Sequence, residues 1–179
     1  LVDLHEKRQQ TMRYFEDVVV GETASFGRYE VARDEVIAFA KLYDPQPFHL
    51  SDEVAAKTPF KRLAASGWHT CAMTMAMIVK HKTDRQEALL GSPGIDTLRW
   101  VAPVYPGDVL RCESIVTEAR RSESRPTMGL TKTALTVLNQ DNAAVMTFIA
   151  NMMIRTQPDA PLRSQDVGAE FLAAGDKTG

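Results

Sequence analysis

Cysteine is scarce in this 179-residue chain. Cys71 and Cys112 lie far apart and form no CxxC pair, which excludes a disulfide framework and fits a reducing compartment. Both sit in apolar runs, so buried free thiols are expected. Long hydrophobic runs are missing too. No stretch approaches the roughly 18 consecutive apolar residues of a membrane span. The opening LVDLHEKRQQTMRYFED is too polar for a signal peptide, so a cytoplasmic protein with no membrane partner is the expectation. Excess charge is also absent. Lys and Arg number 21 against 23 Asp and Glu, a net −2, so no basic field recommends nucleic acid. Arg120-Arg121 reads as a solvated strand end. No G-x-G-x-x-G or P-loop cradles a nucleotide, and no G-x-S-x-G elbow surrounds Ser66 or Thr74.

What is present is an ordinary globular composition, 44% hydrophobic and 25% charged, enough for one domain with a sizeable core. Residues 1–13 read as a flexible segment, 14–156 as the domain, and 157–179 as a tail with one short helix at 167–174. TASFGRYEV (23–31) reads as a strand. DEVIAFAKLY (34–43) sets Val36, Phe39, Ala40 and Tyr43 on one helical face. Pro45 and Pro47 must end that helix near Tyr43. Ser51 is an N-cap candidate for a second short helix, with Asp52 and Glu53 in its first turn. GWHTCAMTMAMIVK (67–80) is apolar almost all the way round, so this helix is expected to be buried on most sides.

The period then drops to two, with strands expected at 95–104, 109–121, 127–139 and 144–155. YPGD, ESRP and QDNA supply the turns. Such short connections predict an antiparallel meander, and long strands curve. The fold class expected is α+β: a curved antiparallel sheet wrapped around one buried helix, the hotdog layout.

DPQPFH (44–49) stiffens the joint between an acid and a histidine with two prolines. It could be a sharp turn with polar ends. It could also hold Asp44 and His49 at a fixed reach around a shared water, the carboxylate orienting it and the imidazole moving a proton. Gly67 opens the apolar helix, where backbone N–H groups lack partners and the dipole is positive. It either makes the turn or lets a substrate oxygen approach that N–H. His69 and Cys71 are too sparse for a metal site. His5 and His81 read as surface residues. Met73, Met75 and Met77 read as core filler, with Met75 a candidate for lining an acyl tunnel.

AFAKLYDPQPFHLSDEVAAKTPF resembles the hydratase segment of the MaoC-like dehydratases, the (R)-specific enoyl-CoA hydratase type. ASGWHTCAM resembles that family's start of the central hotdog helix, and VAPVYPGDVLRCESIV its strand–PGD–strand segment. The resemblance covers roughly residues 14–156. It implies reversible hydration of a trans-2-enoyl-CoA to an (R)-3-hydroxyacyl-CoA, with no cofactor or metal and a homodimer or larger homo-oligomer. It implies that Asp44 and His49 activate water and that the Gly67 N–H polarises the thioester carbonyl. Gln46, Phe48, Ser66, Trp68 and Met75 are the implied substrate-binding positions. Gln46 departs from the family's Asn, Phe48 from an aliphatic residue, and Met75 from a serine some members carry.

Two other functions remain open on this reading. A hotdog thioesterase would place a carboxylate on the central helix, and 67–80 holds none. A non-catalytic acyl-CoA binder would not need Asp44 and His49 together.

Overall fold

Five strands, β1 (Thr23–Glu30), β2 (Leu89–Trp100), β3 (Val109–Arg121), β4 (Met128–Leu138) and β5 (Ala144–Arg155), alternate side chains between two faces and pair antiparallel throughout. The structure is a computed structural model and describes residues 11–158. The expected tail helix and His5 lie outside the described residues. Among the described residues the strands are joined by three α-helices, α1 (Arg33–Tyr43), the single turn α2 (Asp52–Ala55) and α3 (Gly67–Asp84), and by two short 3₁₀ segments. The sheet curves around α3, the hotdog arrangement.

The strand order is β1-β3-β4-β5-β2. Only β3, β4 and β5 form the expected meander. The short connection after β2 crosses the sheet instead, because β2 pairs with β5 and β1 takes the edge beside β3. Strand β2 also lies earlier than expected, at Leu89–Trp100 rather than 95–104. Gly91, Pro93 and Gly94, all poor strand residues, fall inside it. At a sheet edge a proline is tolerated, and register shifts at Leu89/Gly91 and Gly91/Gly94 absorb the irregular backbone. Residues 101–104 leave the ladder, with the Val101 N–H still bonded to the Val145 carbonyl at 2.8 Å.

The core lies between α3 and the inner sheet face. Met73, Met77 and Ile78 pack with Leu110 and Cys112 of β3, Leu135 and Val137 of β4, and Met146 and Phe148 of β5. Each such side chain contributes about 1.5–3 kcal/mol by leaving water. Gly27, at φ +80°, sits where β1 shifts register between Phe26 and Tyr29. Met77 Sδ lies 2.6 Å from where a Cβ would stand, so the bend brings bare backbone against the helix.

Helix α3 is not buried on most sides. His69, Thr70, Met73, Thr74, Met77 and Ile78 face inward, while Trp68, Met75 and Val79 are exposed. The apolar composition therefore serves two faces, one against this sheet and one open. Cys112 is buried as expected, its thiol pushed up to about 12 by burial, whereas Cys71 is half-buried. His81 is half-buried rather than a surface residue, stacked on Phe26 with ring centroids 4.0 Å apart. Arg13, expected in the flexible segment, is tied to Glu22 by two hydrogen bonds.

Candidate active site

Pro45 stops α1, and Asp44 becomes its C-cap with φ −150° and ψ 67°. The chain then turns through a 3₁₀ segment, Pro47–His49, closed by the His49 N–H on the Gln46 carbonyl at 2.9 Å. That turn returns His49 to face Asp44, with Nε2 3.5 Å from Oδ2. His49 is 5% exposed. Its other ring nitrogen, Nδ1, lies 2.8 Å from the Ala64 carbonyl oxygen. A carbonyl only accepts, so Nδ1 carries the proton. In the neutral ring Nε2 is then a bare acceptor, pointed toward a carboxylate that is also an acceptor.

Gln46 donates its side-chain amide to Asp44 Oδ1 at 2.8 Å. The extra methylene relative to an Asn thus lets the side chain curl back onto the acid two residues earlier. Ser66 is fully buried, and its Oγ caps α3 by accepting the Trp68 N–H at 3.2 Å. Partial burial alone raises the Asp44 carboxyl. Hydrogen bonds from Ser66 and Gln46, and the neighbouring His49, outweigh that and hold it below the ordinary carboxylate value. Asp44 is an anion at neutral pH.

Asp44, Gln46, Phe48 and His49 line a cleft of about 430 Å³ together with Gly67 and Trp68 of α3. The cleft thus gathers Asp44, Gln46, Phe48, His49, Gly67 and Trp68, with Ser66 buried just behind the acid. Met75 is not among its lining residues; it lies on the open face of α3. Thr74, beside it, is buried and spends its hydroxyl on the Thr70 carbonyl at 2.7 Å.

Gly67 has a packing role that the sequence did not suggest. Trp100 donates its indole N–H to the Gly67 carbonyl at 2.9 Å, and a Cβ on Gly67 would stand 2.5 Å from the ring. Among the described residues the Gly67 N–H has no acceptor. Trp100 meets Trp68 edge-on at 5.3 Å, and Phe60 stacks on Phe48 at 5.2 Å. The cleft is therefore walled by two aromatic pairs.

Phe60, Trp100 and the Ala64 carbonyl escaped the sequence reading. Trp100 ends a strand just before VAPVYPGD, and Phe60 closes the KTPF run after α2, so each aromatic had a visible position. A backbone carbonyl has no residue-type signal at all. Among the described residues no group of three or more His, Cys, Asp or Glu side chains is arranged to hold a metal.

Residues 9–138 match the sequence profile of the MaoC like domain. The chain belongs to this family. The MaoC-like dehydratase from Rhodospirillum rubrum is 35% identical and superposes with a TM-score of 0.74, covering 82% of this chain and 99% of that one. The 3-hydroxybutyryl-CoA dehydratase of Methylorubrum extorquens is 34% identical over 110 residues, 59% of this MaoC-like chain and 64% of that protein. R-Hydratase PhaJ1 from Pseudomonas aeruginosa is 25% identical with a TM-score of 0.59, over 80% of this chain and 86% of its own. Among the described residues no helix is long and apolar enough to cross a membrane.

Proposed function

We propose that this MaoC-like protein catalyses reversible hydration of a trans-2-enoyl-CoA thioester to the (R)-3-hydroxyacyl-CoA, a hydratase/dehydratase reaction. The observation that carries the reading is the facing of two acceptors, His49 Nε2 and Asp44 Oδ2, at 3.5 Å. A water seated beside the pair on its cleft side, within reach of both acceptors, donates a proton toward each and keeps a lone pair free. Its oxygen attacks C3 while Nε2 takes a proton, and the C2=C3 electron pair moves toward the thioester carbonyl. The developing enolate oxygen meets the unpaired Gly67 N–H at the positive end of α3. The imidazolium then returns a proton to C2, which balances the addition of one water. Side chains and water suffice, with no metal or organic cofactor.

Thioester hydrolysis is supported less well. The carboxylate that α3 does carry, Asp84, lies at its far end, exposed and paired with Lys80 at 2.9 Å. A homodimer fits the exposed apolar face. Pairing the free edge of β2 with a second copy covers Leu89, Leu90 and Ile95, and Trp68, Met75 and Val79 of α3 are further exposed apolar side chains that an interface would take out of water.

The test is loss of conjugated-thioester absorbance across crotonyl, longer, branched and dicarboxylic enoyl-CoA thioesters. Consumption of any of them, abolished by Asp44→Asn, supports hydration. No consumption by folded protein would overturn it in favour of a non-catalytic binder.

A further inference from the structure

The loop after α2 carries Lys57, Lys61 and Arg62 within six positions, all exposed, in a chain whose net charge is −2. Among the described residues none of the three has a carboxylate within ion-pair distance. The nearby acid Asp52 is already engaged, with Oδ2 2.5 Å from Arg33 and Oδ1 accepting the Leu63 N–H. Glu53, four residues before Lys57, makes no ion pair with it.

The loop is built rather than floppy. The Lys61 N–H bonds to the Thr58 carbonyl, the Phe60 N–H to Thr58 Oγ1, and Tyr105 Oη donates to the Phe60 carbonyl at 2.9 Å. Lys61 holds φ +64°, a left-handed conformation that a lysine rarely adopts. Such outliers persist where the surrounding structure enforces them, and they cluster at ligand sites. The Arg62 guanidinium carbon lies over the Tyr105 ring, 3.9 Å from its centroid, a cation–π contact that holds the charge beside Phe60.

Phe60 joins this loop to the reaction site. Its backbone lies between Thr58 and Lys61, and its ring lines the cleft 5.8 Å from that of His49. The cleft is lined by aromatic rings and by the Asp44–His49 pair, and Lys61 and Arg62 follow its lining residue Phe60 directly in the chain. A thioester with its acyl group inside leaves its carrier outside the cleft, where exposed cations next to Phe60 are within the carrier's reach.

We propose that Lys61 and Arg62, with Lys57 behind them, form a phosphate-binding rim for the carrier of the thioester substrate. The phosphate belongs either to the nucleotide of coenzyme A or to the 4′-phosphopantetheine shared with acyl carrier proteins. This rests on the hydration reading for its assay, though not for its binding test.

The variant is Lys61→Asn/Arg62→Gln, because Asn tolerates the left-handed backbone and Gln keeps a polar stem. An unchanged Tm establishes that the loop stays folded. The expected result is a KM for crotonyl-CoA about tenfold higher for the loss of charge-assisted bonds, with kcat little changed. Crotonyl-pantetheine, which has no phosphate, should show no difference between variant and wild type. Raised salt should weaken crotonyl-CoA binding more in the wild type than in the variant, which keeps only Lys57. Equal effects on both thioesters, or none on crotonyl-CoA, would overturn the proposal.

A crotonyl thioester of 4′-phosphopantetheine separates the sources. Persistence of the variant's defect assigns the rim to the shared phosphate, and its disappearance to the nucleotide. If no thioester is hydrated, the hydration reading fails, and the rim is tested by quenching of Trp68 and Trp100 fluorescence. Free coenzyme A should then bind the wild type about tenfold more tightly than the variant. Equal binding would sink the rim.

Discussion

His49 donates Nδ1–H to the Ala64 carbonyl at 2.8 Å, and this one bond decides what the other side of the ring can do. It fixes the tautomer that leaves Nε2 as an acceptor 3.5 Å from Asp44. His49→Ala and Asp44→Asn should each lower kcat by ~10²–10⁴-fold, the range for a positioned acid–base group. The Asp44→Asn protein should keep a near-native Tm, because its shape is unchanged. Full activity in both variants would make the pair structural.

Gln46 holds Asp44 Oδ1 and helps to keep the carboxyl below its ordinary value. Removing the amide removes a bond to the charged form, so the Asp44 pKa must rise. In Gln46→Ala the acid limb of the kcat/KM profile should move to higher pH. An unmoved limb would show that Gln46 does not tune the acid.

At Gly67→Ala the new methyl meets the Trp100 ring. Overpacking of this kind costs about 1–3 kcal/mol, readable by denaturant unfolding. Most of the loss should vanish when the same change is made in a Trp100→Ala background, since the clashing ring is gone. A penalty of equal size in both backgrounds would place the strain elsewhere.

His69 is buried and stacked on Phe39 at 4.6 Å, and among the described residues its Nδ1 has no hydrogen-bond partner. Burial lowers its pKa from 6.5, against a smaller upward pull from Glu35. His81 is lowered too, by burial and then by Lys82, against the pull of Glu87, Asp84 and Glu22. Below about pH 6.5 the unfolded chain therefore binds more protons than the folded one, and stability rises with pH in that window. The native protein should lose stability as pH falls from 6.5 toward the folded values and be insensitive just above. His69→Phe should flatten part of that slope in urea titrations at several pH values.

The exposed apolar face of α3 and the edge strand β2 predict a homodimer by light scattering. Met75→Glu/Val79→Glu, which puts charge on that face, should shift the mass toward monomer. An unshifted dimer would mean that another surface is used.

The sequence alone determined the elements whose signal is local. Period-two alternation set β3, β4 and β5 close to their observed ends. Pro45 set the end of α1, and the spacing in DPQPFH marked the acid and the histidine. What required tertiary structure is non-local. The pairing of β2 with β5 joins strands separated in the chain by β3 and β4, which no turn signal encodes. The buried stripe of α3 could not be picked out because both of its faces are apolar. The tautomer of His49 depends on a carbonyl fifteen positions away, and the reason for Gly67 is a tryptophan from another element. Local chemistry is written in residue types; partners brought together by folding are written only in the fold.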